Sequence, residues 1–239
     1  AGTEAGDPAF RARTLAFLGH ARAQAGRPAI ELFEQARGLD PSSALPLYFY
    51  GIYLRQQGAL TAATRLFEQA LALDPDNAAI HVELARTKTE LGNYAAAEVE
   101  YDAAVTAADN SPEMQFLRVL FYAQRGYRIA DKGIPAGEAL VEADTANAEA
   151  HNWLGWMYLL DGKADKAEEA LRRALELDPQ LVSARFHLAR LLLLDGQESS
   201  AAIEYRRVVA EDLSGALRDQ ALHALQEIEA SQSSTPGEK

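Results

Sequence analysis

Apolar residues recur along this chain at three- and four-residue spacing, in short runs separated by glycine. Residues 47–75 show the pattern most fully. Leu47, Tyr50, Tyr53 and Leu54 fall on one helical stripe, Gly58 interrupts it, and Leu60, Ala63, Leu66, Phe67 and Ala70 form a second stripe that stops at Pro75. That spacing predicts two antiparallel helices joined by a glycine turn. Small residues (Gly51, Ala63, Ala70) alternate with large ones (Tyr50, Phe67) on the facing sides, as close helix packing demands: small side chains let backbones approach and large ones fill the remaining gaps.

The unit repeats. The segment from Leu32 to Pro41 recurs almost unchanged from Leu66 to Pro75, 34 residues later, and a third copy runs from Ala170 to Pro179. A period of that length marks a stack of like supersecondary units. The slots Leu47, Tyr50-Gly51, Leu54, Ala63, Phe67 and Pro75 resemble the tetratricopeptide repeat, with Leu84-Ala85, Gly92, Tyr94, Ala97 and Tyr101 in the next unit. Leu154-Gly155, Tyr158, Gly162, Ala167, Leu171 and Pro179 continue the series, as do Leu188-Ala189, Gly196, Ala201 and Tyr205. In the first unit Leu18-Gly19 and Gly26 fit, although its turn is two residues short.

The resemblance implies an all-α fold, an alpha-alpha superhelix of six helix-turn-helix repeats forming a single solenoid over residues 8–230. The units fall at about 12–43, 44–77, 78–111, 112–147, 148–181 and 182–215. Leu217, Ala221, Leu222, Leu225 and Ile228 make one amphipathic stripe in 216–230, read as a capping helix over the apolar face a further repeat would otherwise cover. Asp7-Pro8 reads as an N-cap followed by proline at the first helical position. Residues 1–7 and 231–239 are expected to be a flexible start and a disordered tail.

Residues 112–147 keep the frame poorly. The first helix, Pro112 to Arg125, fits two registers one residue apart, which put either Val119 or Arg118 in a slot where a small residue is usual. Gly133, Pro135 and Gly137 oppose helix in the second half, so a late, short helix from about Pro135 to Asp144 is predicted. This unit is a drifted repeat with a longer loop, or else a hinge or side-on docking point.

Composition narrows the function classes. The chain has 239 residues, no cysteine and a net charge of −12, with acidic residues scattered through every unit. That distribution reads as a solvated helical exterior. Dispersed arginine and scarce lysine argue against nucleic acid and anionic membranes. Without cysteine there is no disulfide framework, thiolate nucleophile or cysteine-bound zinc, while the redox compartment stays undecided. No run approaches the roughly 20 apolar residues of a membrane helix, and the first ten residues lack signal-peptide features. The chain as it stands reads as soluble. Localisation stays open: the expectation is a cytoplasmic protein or, since residue 1 is not methionine, a soluble domain whose targeting or anchoring segment was removed.

No catalytic or cofactor constellation stands out. The histidines, at 20, 81, 151, 187 and 223, lie in different units without a second histidine at helical spacing, so no metal pair is expected. His81 and His151 take the slot of the first aromatic and read as packing residues, and Asp74-Pro75-Asp76-Asn77 reads as an inter-repeat turn. The expectation is a non-enzymatic chain.

The family resemblance further implies a concave surface lined by the first helix of each pair. Carried over residue by residue, it places there Tyr48, Phe49, Ile52 and Arg55; Val82, Glu83 and Arg86; Asn152, Trp153, Trp156 and Leu160; and Phe186, His187 and Arg190, with Phe116, Leu117 and Leu120 from the irregular unit. The basic clamp by which some family members hold acidic C-termini is absent. A mainly apolar trough with a few arginines suits an extended peptide or amphipathic helix with apolar anchors and some acidic groups, oriented by Arg55, Arg86 and Arg190. The expectation is therefore a scaffold or adaptor that binds a protein segment in its groove. The alternatives are a structural subunit whose solenoid self-associates or is constitutively filled, and aromatics that serve only packing.

Overall fold

The computed structural model describes residues 6–234, which form thirteen α-helices and no strand. They divide between Met114 and Gln115 into two compact units, and each is described by itself.

The first unit holds three helix pairs: α1 (Pro8–Gln24) with α2 (Ile30–Leu39), α3 (Leu45–Gln56) with α4 (Leu60–Leu73), and α5 (Ala78–Glu90) with α6 (Tyr94–Ala107). Asp7 caps α1 by accepting the Ala9 N–H at 3.1 Å, with Pro8 beginning the helix. Asn77 does the same for α5 through the Ala79 and Ile80 N–H groups, so its turn is an inter-repeat cap. Between paired helices the chain reverses at a left-handed glycine, as at Gly58 (φ 75°). The absence of a side chain at Gly51 is required by contact: a Cβ there would stand 2.6 Å from the ring of Phe67, which is fully buried.

The second unit begins within α7 (Pro112–Arg125) and continues through a π-helical turn (Ile129–Gly133) into α8 (Ile134–Ala143). Then follow α9 (Ala148–Leu160), α10 (Ala164–Leu177), α11 (Val182–Leu194), α12 (Glu198–Glu211) and α13 (Arg218–Ser234). The short late helix of the irregular repeat starts at Ile134, close to the predicted position. Its glycines, which weaken helix intrinsically, permit contact here: Cβ atoms at Gly133 and Gly137 would lie 2.9 and 2.8 Å from the Met157 side chain of α9. Of the two α7 registers, the one with Val119 inward is observed, since Val119 is fully buried and Arg118 only partly so.

The predicted cap at 216–230 is shifted. It runs from Arg218 to Ser234, so Ser231–Ser234, expected to be disordered, are helical; residues 235–239 and 1–5 lie outside the described residues. The start is set by Asp212, whose carboxylate accepts the backbone N–H groups of Ser214, Gly215, Leu217 and Arg218 and the Ser214 hydroxyl. The Ser214 hydroxyl and the Leu217 N–H hold its pKa down to about 2. The charged form is thus the one folding favours; its contribution is present above the ordinary carboxylate range and is lost as pH falls towards 2. Asp212→Ala is expected to remove amide-exchange protection selectively from Ala221 to Ile228, leaving α9 to α11 protected; equal loss in all four helices would contradict a local cap.

Candidate functional site

In both units the first helices of successive pairs touch one another: α1 with α3, α3 with α5, and α9 with α11. The second helices α2 and α4, α4 and α6, and α10 and α12 have at most marginal mutual contact. First helices that are closer than second helices make the inner side of each stack, and that side carries the candidate residues.

In the first unit, Phe49 is packed by its neighbours: His20 stacks on it at 4.4 Å, and Phe17 and Tyr48 tilt against it at 5.3 Å. Phe17 and His20 belong to this surface but were not among the predicted residues. Aligning Gly19 with Gly51 would have found them, and the short first turn obscured that frame. Phe49 and Glu83 are buried, Tyr48 and Ile52 half-buried.

The arginines of this unit are already in ion pairs. Glu83, from the same slot as Phe49, pairs with both Arg55 (3.0 Å) and Arg86 (2.8 Å), and Arg55 also holds Glu90 at 2.7 Å. A guanidinium already neutralised from α5 is poorly placed to orient a partner's acid. The sequence pattern assigned these side chains to a face without revealing that they neutralise one another across it.

The second unit is more open. Trp153 and Trp156 are half-buried and flank His187: the Trp156 ring stacks on it at 4.6 Å and Trp153 meets it edge-on at 5.5 Å. The Trp156 indole N–H donates to the Ala123 carbonyl at 3.2 Å, and Arg190 lies over the Trp156 face at 5.3 Å. Arg190 is exposed and makes no ion pair among the described residues. Leu160 is also exposed, at the end of α9.

Three of the predicted contact residues are buried. Asn152 is fully buried, and Phe186 and His187 are buried, so a ligand reaches them only through their neighbours. Asn152 Oδ1 accepts from His187 Nδ1 at 2.8 Å and its amide nitrogen donates to Ser183 Oγ at 3.0 Å, a fully used polar bridge between α9 and α11. The carbonyl role of Oδ1 fixes the Nδ1–H tautomer of His187. Burial, with the Arg190 charge adding to it, pushes the pKa of His187 down to about 3. It is therefore a neutral packing group at physiological pH.

A cavity of about 560 Å³ extends this surface between α11, α12 and α13, floored by Phe186 and Tyr205 and edged by Arg190, Asp219, His223 and Glu227. Its α12 and α13 residues were not predicted, because only first helices were considered and the last helix was read purely as a cap. Among the described residues no group of three or more potential metal ligands occurs, and no helix is long and apolar enough to cross a membrane.

Models of the tetratricopeptide repeat match residues 18–78 and 165–216, 54–118, and 148–181, which together cover most of the chain. The chain belongs to the tetratricopeptide repeat family. Solved structures agree in fold. A tetratricopeptide repeat protein from Parabacteroides merdae matches with TM-score 0.72 at 18% identity, covering 92% of this chain and 93% of its own. PilF of Pseudomonas aeruginosa matches with TM-score 0.67 at 18% identity, covering 92% and 97%. YrrB, described as a TPR protein with an unusual peptide-binding site, matches with TM-score 0.56 at 18% identity, covering 81% and 97%. A search of curated proteins found no match. As a tetratricopeptide repeat protein, the chain is a protein-interaction scaffold in general type, and such scaffolds are typically non-enzymatic.

Proposed function

We propose that this protein is an adaptor whose inner, first-helix surface in the second unit binds a segment of a partner protein. The observation that carries this reading is the pair of half-exposed tryptophans on α9, Trp153 and Trp156, beside an arginine free of ion pairs. Tryptophan and arginine are the residue types that most often dominate binding energy, and here Arg190, set over Trp156, lines a cavity large enough for a side-chain anchor. YrrB supports the reading only as a protein of the same fold with a described peptide-binding site.

The test is a photo-crosslinking amino acid placed at position 153, with one at Arg172 on the outward α10 as control, expressed in the source cell. Crosslinks to a partner are expected from 153 and not from 172; equal capture from both, or none from 153, counts against the groove. With the captured segment in hand, Trp153→Ala is expected to weaken binding by about 2 kcal/mol, roughly thirtyfold, without loss of helical content.

A self-associating subunit is the second reading. It is favoured by the apolar side chains Phe10, Leu18 and Ile30, which stand exposed on α1 and α2. Sedimentation across a wide concentration range decides it, since a strict monomer removes this reading.

A further inference from the structure

We propose that the cavity between α11, α12 and α13 receives a lysine or arginine side chain, so that the partner segment is apolar and basic. This rests on the groove reading above and reverses the sign of the partner charge expected from the sequence. The first observation is Tyr205. Its side chain is 2% exposed and lines the cavity, yet its hydroxyl has no hydrogen-bond partner among the described residues. A buried ring whose hydroxyl opens into the cavity without an internal partner is placed to meet an incoming polar group.

The second is the charge around that phenol. Asp219 and Glu227, both on α13, edge the cavity. Asp219 makes no ion pair among the described residues, and Glu227 lies 3.6 Å from the exposed His223 imidazole of its own helix. The phenol shares the cavity with Arg190 from α11 and with Asp219 and Glu227 from α13; burial raises its pKa, with Arg190 acting to lower it and Glu227 to raise it. Arg190, which lines the same cavity, is held over the Trp156 ring and keeps its charge, so the incoming cation takes the α13 side.

The remaining chemistry is that of a cation site. An ammonium or guanidinium can donate to the Tyr205 oxygen and to one carboxylate of the α13 edge, Glu227 or Asp219, while its methylene stem lies along Phe186 and Leu193. Aromatic faces on the floor add cation–π attraction. The whole molecule points the same way. With a net charge of −12 it draws basic segments from a distance and repels acidic ones, and Arg55 and Arg86, which would have drawn an acidic segment, are neutralised by Glu83 and Glu90.

The experiment titrates the full chain, at physiological salt, with three short peptides sharing a leucine frame and carrying lysine, glutamine or glutamate at the polar positions. Tryptophan fluorescence is the readout, since Arg190, which lines the cavity, lies over the Trp156 ring. The lysine peptide is expected to bind about tenfold more tightly than the glutamine peptide, and the glutamate peptide more weakly than either. Asp219→Asn with Glu227→Gln is expected to abolish the lysine preference while keeping glutamine-peptide binding. Glu168→Gln with Glu176→Gln on α10 removes as much charge elsewhere and is expected to leave the preference intact.

Equal effects of the two double variants would reduce the preference to bulk charge and overturn the proposal. Tighter binding of the glutamate peptide would overturn it while leaving the groove reading standing. If none of the peptides perturbs the tryptophans, the groove reading falls and this inference falls with it.

Discussion

Phe67→Ala is expected to destabilise the first unit by about 3–5 kcal/mol, the range for emptying a buried aromatic site, measured as a fall in the urea midpoint. Phe67 is fully buried in a cluster with Leu47, Ala63, Leu66, Ala70, Ile80 and Leu84, drawn from α3, α4 and α5. Its removal therefore loosens both a helix pair and the joint to the next pair. The same ring sets the sign of a second change. Gly51→Ala places a Cβ 2.6 Å from the Phe67 ring, an overpacking that costs about 1–3 kcal/mol, against about 1 kcal/mol gained from the better helix former. In the native chain the clash prevails and Gly51→Ala destabilises. Combined with Phe67→Ala the clash disappears, and Gly51→Ala is expected to stabilise by about 1 kcal/mol. An unchanged sign in the two backgrounds would refute the contact as the reason for the glycine.

Acid weakens the second unit well before its carboxylates neutralise. His187 is held neutral by burial, with a folded pKa of about 3 against 6.5 in the unfolded chain. Below pH 6.5 the unfolded chain takes up a proton that the folded chain refuses. The stability associated with this group is therefore complete above pH 6.5 and is lost progressively as pH falls towards 3. By pH 4.5 the loss is about 3 kcal/mol. Trp156, stacked on His187, supplies a local fluorescence readout of the transition. His187→Gln retains a donor for Asn152 but cannot titrate, so its stability between pH 6.5 and 4.5 is expected to be flat by comparison. A variant as acid-sensitive as the native chain would place the cause elsewhere.

These outcomes also separate what could be read from the chain from what could not. The Gly51–Phe67 contact repeats as Gly19–Phe33 and Gly155–Leu171, each with a hypothetical Cβ 2.6 or 2.7 Å from the partner side chain. Two of the contacting rings, Phe33 and Phe67, stand 34 residues apart inside the duplicated segments that reveal the period. His81 and His151, taken as packing residues, lie 3.0 and 3.1 Å from the Pro75 and Thr145 carbonyls, tying each helix to the turn before it. Arg185 reaches the Pro179 carbonyl in the same manner. The site was less legible. The inward slots were assigned by position along a helix, whereas exposure depends on what the next helix contributes: Phe49 is covered by Phe17 and His20 from α1, and Phe186 packs edge-on against Tyr205 from α12.

The sequence by itself determined the helix pairs, their glycine turns, the repeat family and the short late helix of the irregular repeat. Each of these follows from contacts within one unit or with its immediate copy, which periodic small and large residues encode directly. Only the tertiary structure decided which arginines remain uncommitted, where the final helix begins, and that Tyr205 meets Asp219 and Glu227 across a cavity. Those depend on charges and polar groups from helices far apart in sequence, and pairing at a distance carries no period.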